Sequence, residues 1–296
     1  MVVNGITIST IRSGKGDCIH LNFNGYNLII DSGPTSTASE FRRLCESILQ
    51  NGQKLDALIV THYDDDHIGG ILKTGDLGFH DVYFNAYDGT VENNNLSATQ
   101  NQRLFHMLPE AIVHSKVLIG DVIEVGGAKL TIHGPTSSAL SKSKEQMKEA
   151  DSQLGAISDW GFTLDELMER DYPSPDTSIS NQASIVFTFE YEECRLLFTG
   201  DTWANNILGG HFDFVKLPHH GSAKNVSDGM IRRLDADTFL ICADGTSHPN
   251  KQTVAKLLKL QEKVTVYSNY DWWMKNFLKL EDMKYIKDGR LEFKLT

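Results

Sequence analysis

Short apolar runs, each ending near Gly, Asn or Asp, alternate along the chain with stretches in which apolar residues recur every three or four positions. The first pattern marks strands, and the second marks helices packed along one face. Residues 2–11, 18–23 and 26–30 read as three strands, with Asn24-Gly25 as the tight turn between the last two. Phe41, Leu44, Cys45, Ile48 and Leu49 fall on one face of a helix predicted over 38–50 and stopped by Asn51-Gly52. The chain then enters an apolar run, Leu58-Ile59-Val60, and Ile68, Ile71 and Leu72 begin a short helix just beyond it. A buried strand at 82–84, a helix at 98–110 and strands at 113–118, 122–125 and 129–133 follow, with Gly126-Gly127 as a turn.

Residues 137–180 break this rhythm. The ends, 137–143 and 173–180, are polar, and charged helical stretches at 144–151 and 164–170 surround Trp160-Gly161-Phe162. The composition reads as a solvated insertion, and its place between core strands makes it a candidate lid. The alternation then resumes. Residues 183–191 and 195–199 form a hairpin ending in Gly200-Asp201, and a strand at 212–217 leads to Pro218-His219-His220-Gly221-Ser222. A helix near 226–234, a strand at 237–242, a loop with His248-Pro249, a helix near 250–260 and a strand at 264–268 complete a domain spanning 1–270. The tail, 271–296, reads as a hairpin turning at Asp288-Gly289 and packed on that domain. Two successive halves of strands and helices imply an α/β fold in which two mixed sheets pack face to face with helices outside, an αββα sandwich.

Composition narrows the function classes. A chain of 296 residues with 40% hydrophobic content can bury a sizeable core. Its formal net charge of −11 argues against a broad footprint on a nucleic-acid backbone, so any phosphate recognition is expected to be local. The start lacks a basic, apolar leader and no run reaches membrane-span length, so a soluble, cytoplasmic protein without a membrane role is expected. Cys18, Cys45, Cys194 and Cys242 are scattered, which points to free buried thiols rather than a disulfide framework.

The apolar run at 58–60 ends in Thr61-His62-Tyr63-Asp64-Asp65-Asp66-His67-Ile68-Gly69-Gly70. Residues i and i+2 at a strand end share one side, so His62 and Asp64 can bind one cation. Asp66 and His67 then reach a second from the start of the following helix. Two cations about 3.5–4 Å apart can hold a bridging hydroxide, the nucleophile of a hydrolase. The two glycines are expected to let the backbone turn tightly. A solvated acidic loop is the alternative, and it gives no reason for the apolar strand or the Gly-Gly.

This run resembles the His-x-His-x-Asp-His signature of the metallo-β-lactamase fold, with Asp64 in place of the second histidine. Further segments narrow the likeness: Gly14-Lys15-Gly16-Asp17-Cys18 with Leu28-Ile29-Ile30-Asp31-Ser32-Gly33, Asn181-x-x-Ser184 leading into Phe198-Thr199-Gly200-Asp201, and Lys216-Leu217-Pro218-His219-His220-Gly221-Ser222. Together they resemble the soluble C-terminal hydrolase domain of the ComEC family of DNA-uptake proteins, from about residue 6 to 260. ComEC itself carries a membrane channel and this chain has none, so transport is not inherited with the motifs.

The resemblance implies a two-metal phosphodiesterase or nuclease with His62, Asp64, Asp66, His67, Asp201 and His248 as metal ligands, Asp201 bridging. His220, with Asp66, takes the catalytic role, and which of His219 and His220 touches a metal stays open; Lys216, His219 and Ser222 contact substrate, with Lys224 nearby; Asp17, Asp31 and Asn181 stand behind the ligands. Asp64, and Asn181 where the superfamily has a nitrogen ligand, make the first position oxygen-rich, favouring manganese or magnesium relative to zinc. The implied cofactors are two divalent ions, Mn or Zn with Mg as a third choice, and the implied partner is a nucleic-acid or nucleotide phosphodiester. His133 is a further site candidate, whereas His20, His80, His106, His114 and His211 read as structural. Hydrolysis of a carboxylic ester, lactone or thioester is the rival within enzymes. A metal-stabilised regulatory protein docking a partner through 137–180 or Trp272-Trp273 is the rival outside them.

Overall fold

The computed structural model describes residues 1–87, 96–146 and 158–296. Its first sheet follows chain order: β1 (Val2–Val3), β2 (Ile6–Thr10), β3 (Ile19–Phe23), β4 (Tyr26–Ile30), β5 (Leu55–Ile59), β6 (Phe79–Tyr83) and β7 (Val113–His114). The first four strands are antiparallel and the last three parallel to β4. Asn24 and Gly25 both take positive φ at the β3–β4 hairpin, as a two-residue turn of this sequence requires.

The second sheet repeats the plan. β8 (Val122–Val125), β9 (Ala128–Gly134), β10 (Val186–Tyr191) and β11 (Cys194–Phe198) are antiparallel neighbours, and β13 (Phe214–Lys216), β15 (Thr238–Ile241), β16 (Val264–Ser268) and β17 (Leu291–Leu295) continue in parallel. A small separate ladder joins β12 (Gly210–His211) to β14 (Leu234–Asp235).

Alternation along the strands builds the layers. Ile8, Leu21, Leu28, Ile30 and Ile59 from the first sheet meet Leu130, Ile132, Phe187, Phe189, Leu196 and Phe198 from the second in one buried cluster between the sheets. The opposite face of the first sheet, Ile29, Leu58 and Val82, is covered by Phe41, Cys45 and Ile48 of the helix Ala38–Gln50 and by Ile68 and Ile71 of Asp65–Thr74. The opposite face of the second, Leu197, Val215, Phe239 and Val266, is covered by Val254, Leu257 and Leu258 of the helix Lys251–Leu260. This is the expected αββα sandwich of two mixed sheets with helices outside.

Several local expectations need correction. The strand expected over 2–11 is broken at Asn4-Gly5, where both residues take positive φ. The strand expected over 113–118 pairs only through Val113–His114, because the Asn85 side chain then takes over, accepting from Val117 N and donating to Val117 O. The tail is no hairpin: Met283–Lys287 is a helix ended at Asp288-Gly289, and β17 adds parallel to β16. Nor is the whole of 137–180 solvated. Leu164 and Leu167 of the helix Leu164–Glu169 are buried in the second core, while 147–157, including most of the helical stretch expected at 144–151, lies outside the described residues. Among the described residues no helix is long and apolar enough to cross a membrane, and all four cysteines are free and buried.

Gly69 and Gly70 are not turn residues either. They sit inside the helix Asp65–Thr74, where the loop after β4 crosses so closely that a Cβ at Gly70 would collide with the Ser32 carbonyl and one at Gly69 with the Thr35 amide. Gly70→Ala is expected to lower stability by about 2 kcal/mol or more, read as a fall of several degrees in the thermal midpoint. Gly161→Ala, where a Cβ meets nothing within 4 Å, should leave the midpoint unchanged.

Candidate metal centre

The C-terminal ends of β4, β5, β11, β13 and β15 converge where the two sheets meet, and a backbone hydrogen bond from Ile185 N to Thr61 O ties the sheets together there. The register Ile30↔Ile59 sets Asp31 beside Thr61. Asp31, fully buried and at φ 59°, accepts from Thr61 N at 2.7 Å, from Thr61 Oγ1 at 2.8 Å and from His67 Nδ1 at 2.8 Å. A carboxylate can only accept, so His67 carries its proton on Nδ1 and its Nε2 is bare. Thr61 Oγ1, having given its hydrogen to Asp31, is free to accept from His62 Nδ1 at 3.2 Å. His62 is thereby set to the same tautomer.

His220 reaches the same state from the other sheet. Its Nδ1 lies 3.0 Å from the Cys242 carbonyl oxygen and 3.1 Å from Asp17 Oδ1, both acceptors. The Nε2 atoms of His62, His67 and His220 are all buried without a hydrogen-bond partner. Burying a bare polar atom is costly, and three of them around one point need a common partner. The groups His62–His67–Asp201 and Asp66–His67–His220 each bring one donor atom per residue within 4.8 Å of one another. Asp201 Oδ2 stands 3.4 Å from His67 Nε2 and 3.3 Å from His220 Nε2, and Asp66 Oδ2 is 3.4 Å from His220 Nε2.

Charge points the same way. Asp17 and Asp201 flank one buried cation, Lys216, whose ammonium pairs with Asp17, donates to Gly200 O at 3.0 Å and lies 3.5 Å from Asp201 Oδ1, while Asp66 has no lysine or arginine partner among the described residues. Burial disfavours the charged forms of His67 and His220, yet the carboxylates, Asp201 first, outweigh it and hold both imidazoles well above their ordinary pKa. Burial likewise disfavours the Asp201 carboxylate, but His220, His67 and His219 hold its pKa well below the ordinary range. Carboxylates that outnumber the buried cation in this way leave the pocket short of positive charge. Divalent cations satisfy the bare nitrogens and the surplus carboxylates together, so these residues fit the metal that the sequence implies.

Close approach of the loops completes the centre. Gly16 packs so tightly on the Asp66 carbonyl that no Cβ fits, and Asp17 N donates to that carbonyl at 3.2 Å. His219 and His220 both take left-handed φ, 46° and 53°, which costs about 1–2 kcal/mol per residue and turns the two rings 85° apart.

The expected residues divide as follows. His62, Asp66, His67 and Asp201 meet in the centre, with Asp64 Oδ2 3.7 Å from His62 Nε2. His248 is half-buried with its ring 5.1 Å from that of His219; desolvation and its neighbours His219 and His220 push its pKa down to about 3, and it belongs to neither of the two groups above. His220, the expected catalytic histidine with a metal contact open between it and His219, is buried among the donors. Lys216 and Ser222, expected to touch substrate, are also buried: Lys216 is fully engaged, and Ser222 Oγ accepts from Lys224 N in its own turn. His133 is remote and bonds Thr188.

Asp176 was missed, because nothing in the polar run 173–180 marks it. Its Oδ2 accepts from Asn181 Nδ2 at 2.7 Å and from Asn225 Nδ2 at 2.9 Å and lies 3.5 Å from His219 Nδ1. Ser180, from the same run, donates to Asp64 at 3.4 Å.

Residues 14–143 match the family model described as the metallo-beta-lactamase superfamily, a span that includes the whole 61–70 run but ends before Asp201, His220 and His248. No curated protein matches the chain. Solved structures similar to it include the metallo-beta-lactamase fold protein YhfI from Bacillus subtilis, with 11% identity over 98% of this chain and 95% of that one and a TM-score of 0.45. Zn(2+)-bound PqqB from Methylobacterium extorquens is similar at 13% identity, 94% and 84% coverage and a TM-score of 0.45. A diphosphatase from the PhnP family is similar at 14% identity, 98% and 92% coverage and a TM-score of 0.44.

The Lys216–Asp17 pair makes one prediction. Lys216→Met leaves Asp17 buried without its counter-charge and should destabilise by about 3–5 kcal/mol in denaturant titration of the metal-free protein, whereas adding Asp17→Asn in the same chain should recover much of that loss.

Proposed function

We propose that the chain is a dinuclear metal-dependent phosphodiesterase acting on a nucleic acid or nucleotide. The observation that carries this reading is the convergence of three bare, buried imidazole nitrogens with Asp66 and Asp201 at the meeting of the two sheets. His62 and Asp64 would hold one cation; Asp66, His67 and His220 the other; Asp201 would be shared, and His248 is a further candidate at the rim. When bound, such ions supply Lewis acidity towards a phosphoryl oxygen and lower the pKa of water towards neutrality.

The chain's own residues do the rest. Asp31 and the Cys242 carbonyl fix the rings, so the ligand nitrogens are presented without reorganisation. Lys15 and Lys224 are exposed and pair with no carboxylate among the described residues. Lys15 precedes the glycine packed on Asp66, and the Lys224 carbonyl accepts from Asp176 N, so both flank the centre and would draw in an anionic substrate. Their local charge, in a protein of net charge −11, suits a small or single-stranded substrate better than long duplex DNA. The segment 158–181 would serve as a fixed wall of the site, contributing Asp176, Ser180 and Asn181, on a hydrolase domain of residues 1–270.

Carboxylates at Asp64, Asp66 and Asp201 give a donor set richer in oxygen than a three-histidine site, and manganese is expected to support turnover at least as well as zinc. The test is a panel of bis-p-nitrophenyl phosphate, single- and double-stranded DNA, RNA, cyclic nucleotides and a lactone, with Mn²⁺, Mg²⁺ or Zn²⁺ added to chelator-stripped protein. Diester cleavage restored by metal is the expected result; cleavage of the lactone alone would assign the chain to carboxylic ester chemistry. Asp201→Asn should bind less metal and lose at least about 100-fold in kcat with its thermal unfolding still cooperative. Wild-type diester turnover by that variant would overturn the reading.

A further inference from the structure

We propose that His219, rather than His220, is the side chain that donates a hydrogen bond to the substrate, through an Nε2–H fixed by Asn181 and Asp176; this rests on the phosphodiesterase reading above. Asn181 Nδ2 stands 2.7 Å from Asp176 Oδ2, and only the amino end of an amide can face a carboxylate at that distance. The same nitrogen lies 3.1 Å from His219 Nδ1. Two N–H groups pointing at each other across that gap would repel, so Nδ1 holds a lone pair and accepts the second amide hydrogen. The competing arrangement, Nδ1–H to Asp176, spans the longer 3.5 Å. The proton of the neutral ring therefore sits on Nε2.

That Nε2 has no acceptor among the described residues. Its nearest carboxylate oxygen, Asp201 Oδ2, is 4.0 Å away, beyond hydrogen-bond reach, and the side chain is 27% exposed. The two consecutive histidines thus hold opposite tautomers: His220 turns a bare nitrogen inward to the buried donors, and His219 turns an N–H outward beside the bridging carboxylate. Asn181, expected to stand behind the ligands, has its amide committed to Asp176 and His219 and is a positioning residue, as is Asp176. Donation from Nε2 to a non-bridging phosphoryl oxygen stabilises the charge that builds there and transfers no proton.

The experiment loads wild-type, His219→Ala, His219→Gln and Asn181→Leu proteins with Mn²⁺ and measures metal content, metal affinity by competition titration, and kcat and KM on bis-p-nitrophenyl phosphate. His219→Ala should retain wild-type metal stoichiometry and affinity while kcat falls about 100- to 1,000-fold with little change in KM. His219→Gln, which keeps an N–H donor of similar reach, should recover part of the loss, and Asn181→Leu should lower kcat without loss of metal. Long-range ¹⁵N–¹H NMR of the Zn²⁺-bound wild-type protein should show His219 protonated on Nε2. Loss of a metal equivalent in His219→Ala, unchanged kcat, or an Nδ1–H ring would each overturn the assignment. A wild-type protein that binds metal but leaves the diester intact would instead overturn the functional reading itself, whatever the tautomer.

Discussion

Asp31 is the group on which the centre depends. It ends β4 in a left-handed conformation and spends its oxygens on the Thr61 amide, the Thr61 hydroxyl and the His67 ring. One buried carboxylate therefore fixes the end of the neighbouring strand and the tautomer of His67 directly, and that of His62 through the threonine hydroxyl. A ring held this way would present its lone pair to a cation already oriented, so the ordering entropy would be met by the fold rather than by binding. The second sheet solves the same problem with a backbone carbonyl, that of Cys242, in contact with His220 Nδ1.

The two sheets share more than architecture. In each, a hairpin ends in a loop bearing a buried aspartate, Asp31 or Asp201, and the next parallel strand ends in a loop bearing histidines, His62 or His219 and His220. The aspartates nevertheless do different things. Asp31 is saturated by hydrogen bonds to its own sheet, whereas Asp201 Oδ2 faces three histidine rings across the seam. Lys216 offsets part of this concentration of charge through Asp17 and Asp201, and the remaining carboxylate charge is what leaves the seam short of a cation.

Tight backbone approach is the second structural requirement. Gly16 against Asp66, and Gly69 and Gly70 against the loop after β4, bring main chain onto main chain with no room for a Cβ. This places the start of the helix Asp65–Thr74, and with it Asp66 and His67, directly under Asp17 and Ser32. Ser32 reinforces the arrangement by donating its hydroxyl to His67 O and accepting from Ile71 N.

Periodicity and turn residues by themselves determined the alternation of strands and helices, the β3–β4 turn at Asn24-Gly25, the helix Ala38–Gln50 and the αββα layering, because these follow from local sterics and from which face is apolar. The spacing of His62, Asp64, Asp66 and His67 likewise marked the centre, since i and i+2 at a strand end share a side whatever the rest of the chain does. Only the tertiary structure decided the roles of residues brought together from distant segments. Lys216 reads as a substrate contact until Asp17, far away in sequence, is found to neutralise it in the interior; His219 and His220 are indistinguishable until an Asn181 amino group meets Nδ1 of the one and the Cys242 carbonyl meets Nδ1 of the other. Asp176 lies in a run that looks solvated because polarity signals exposure only when no buried donor waits for the carboxylate, and here Asn181 and Asn225 do.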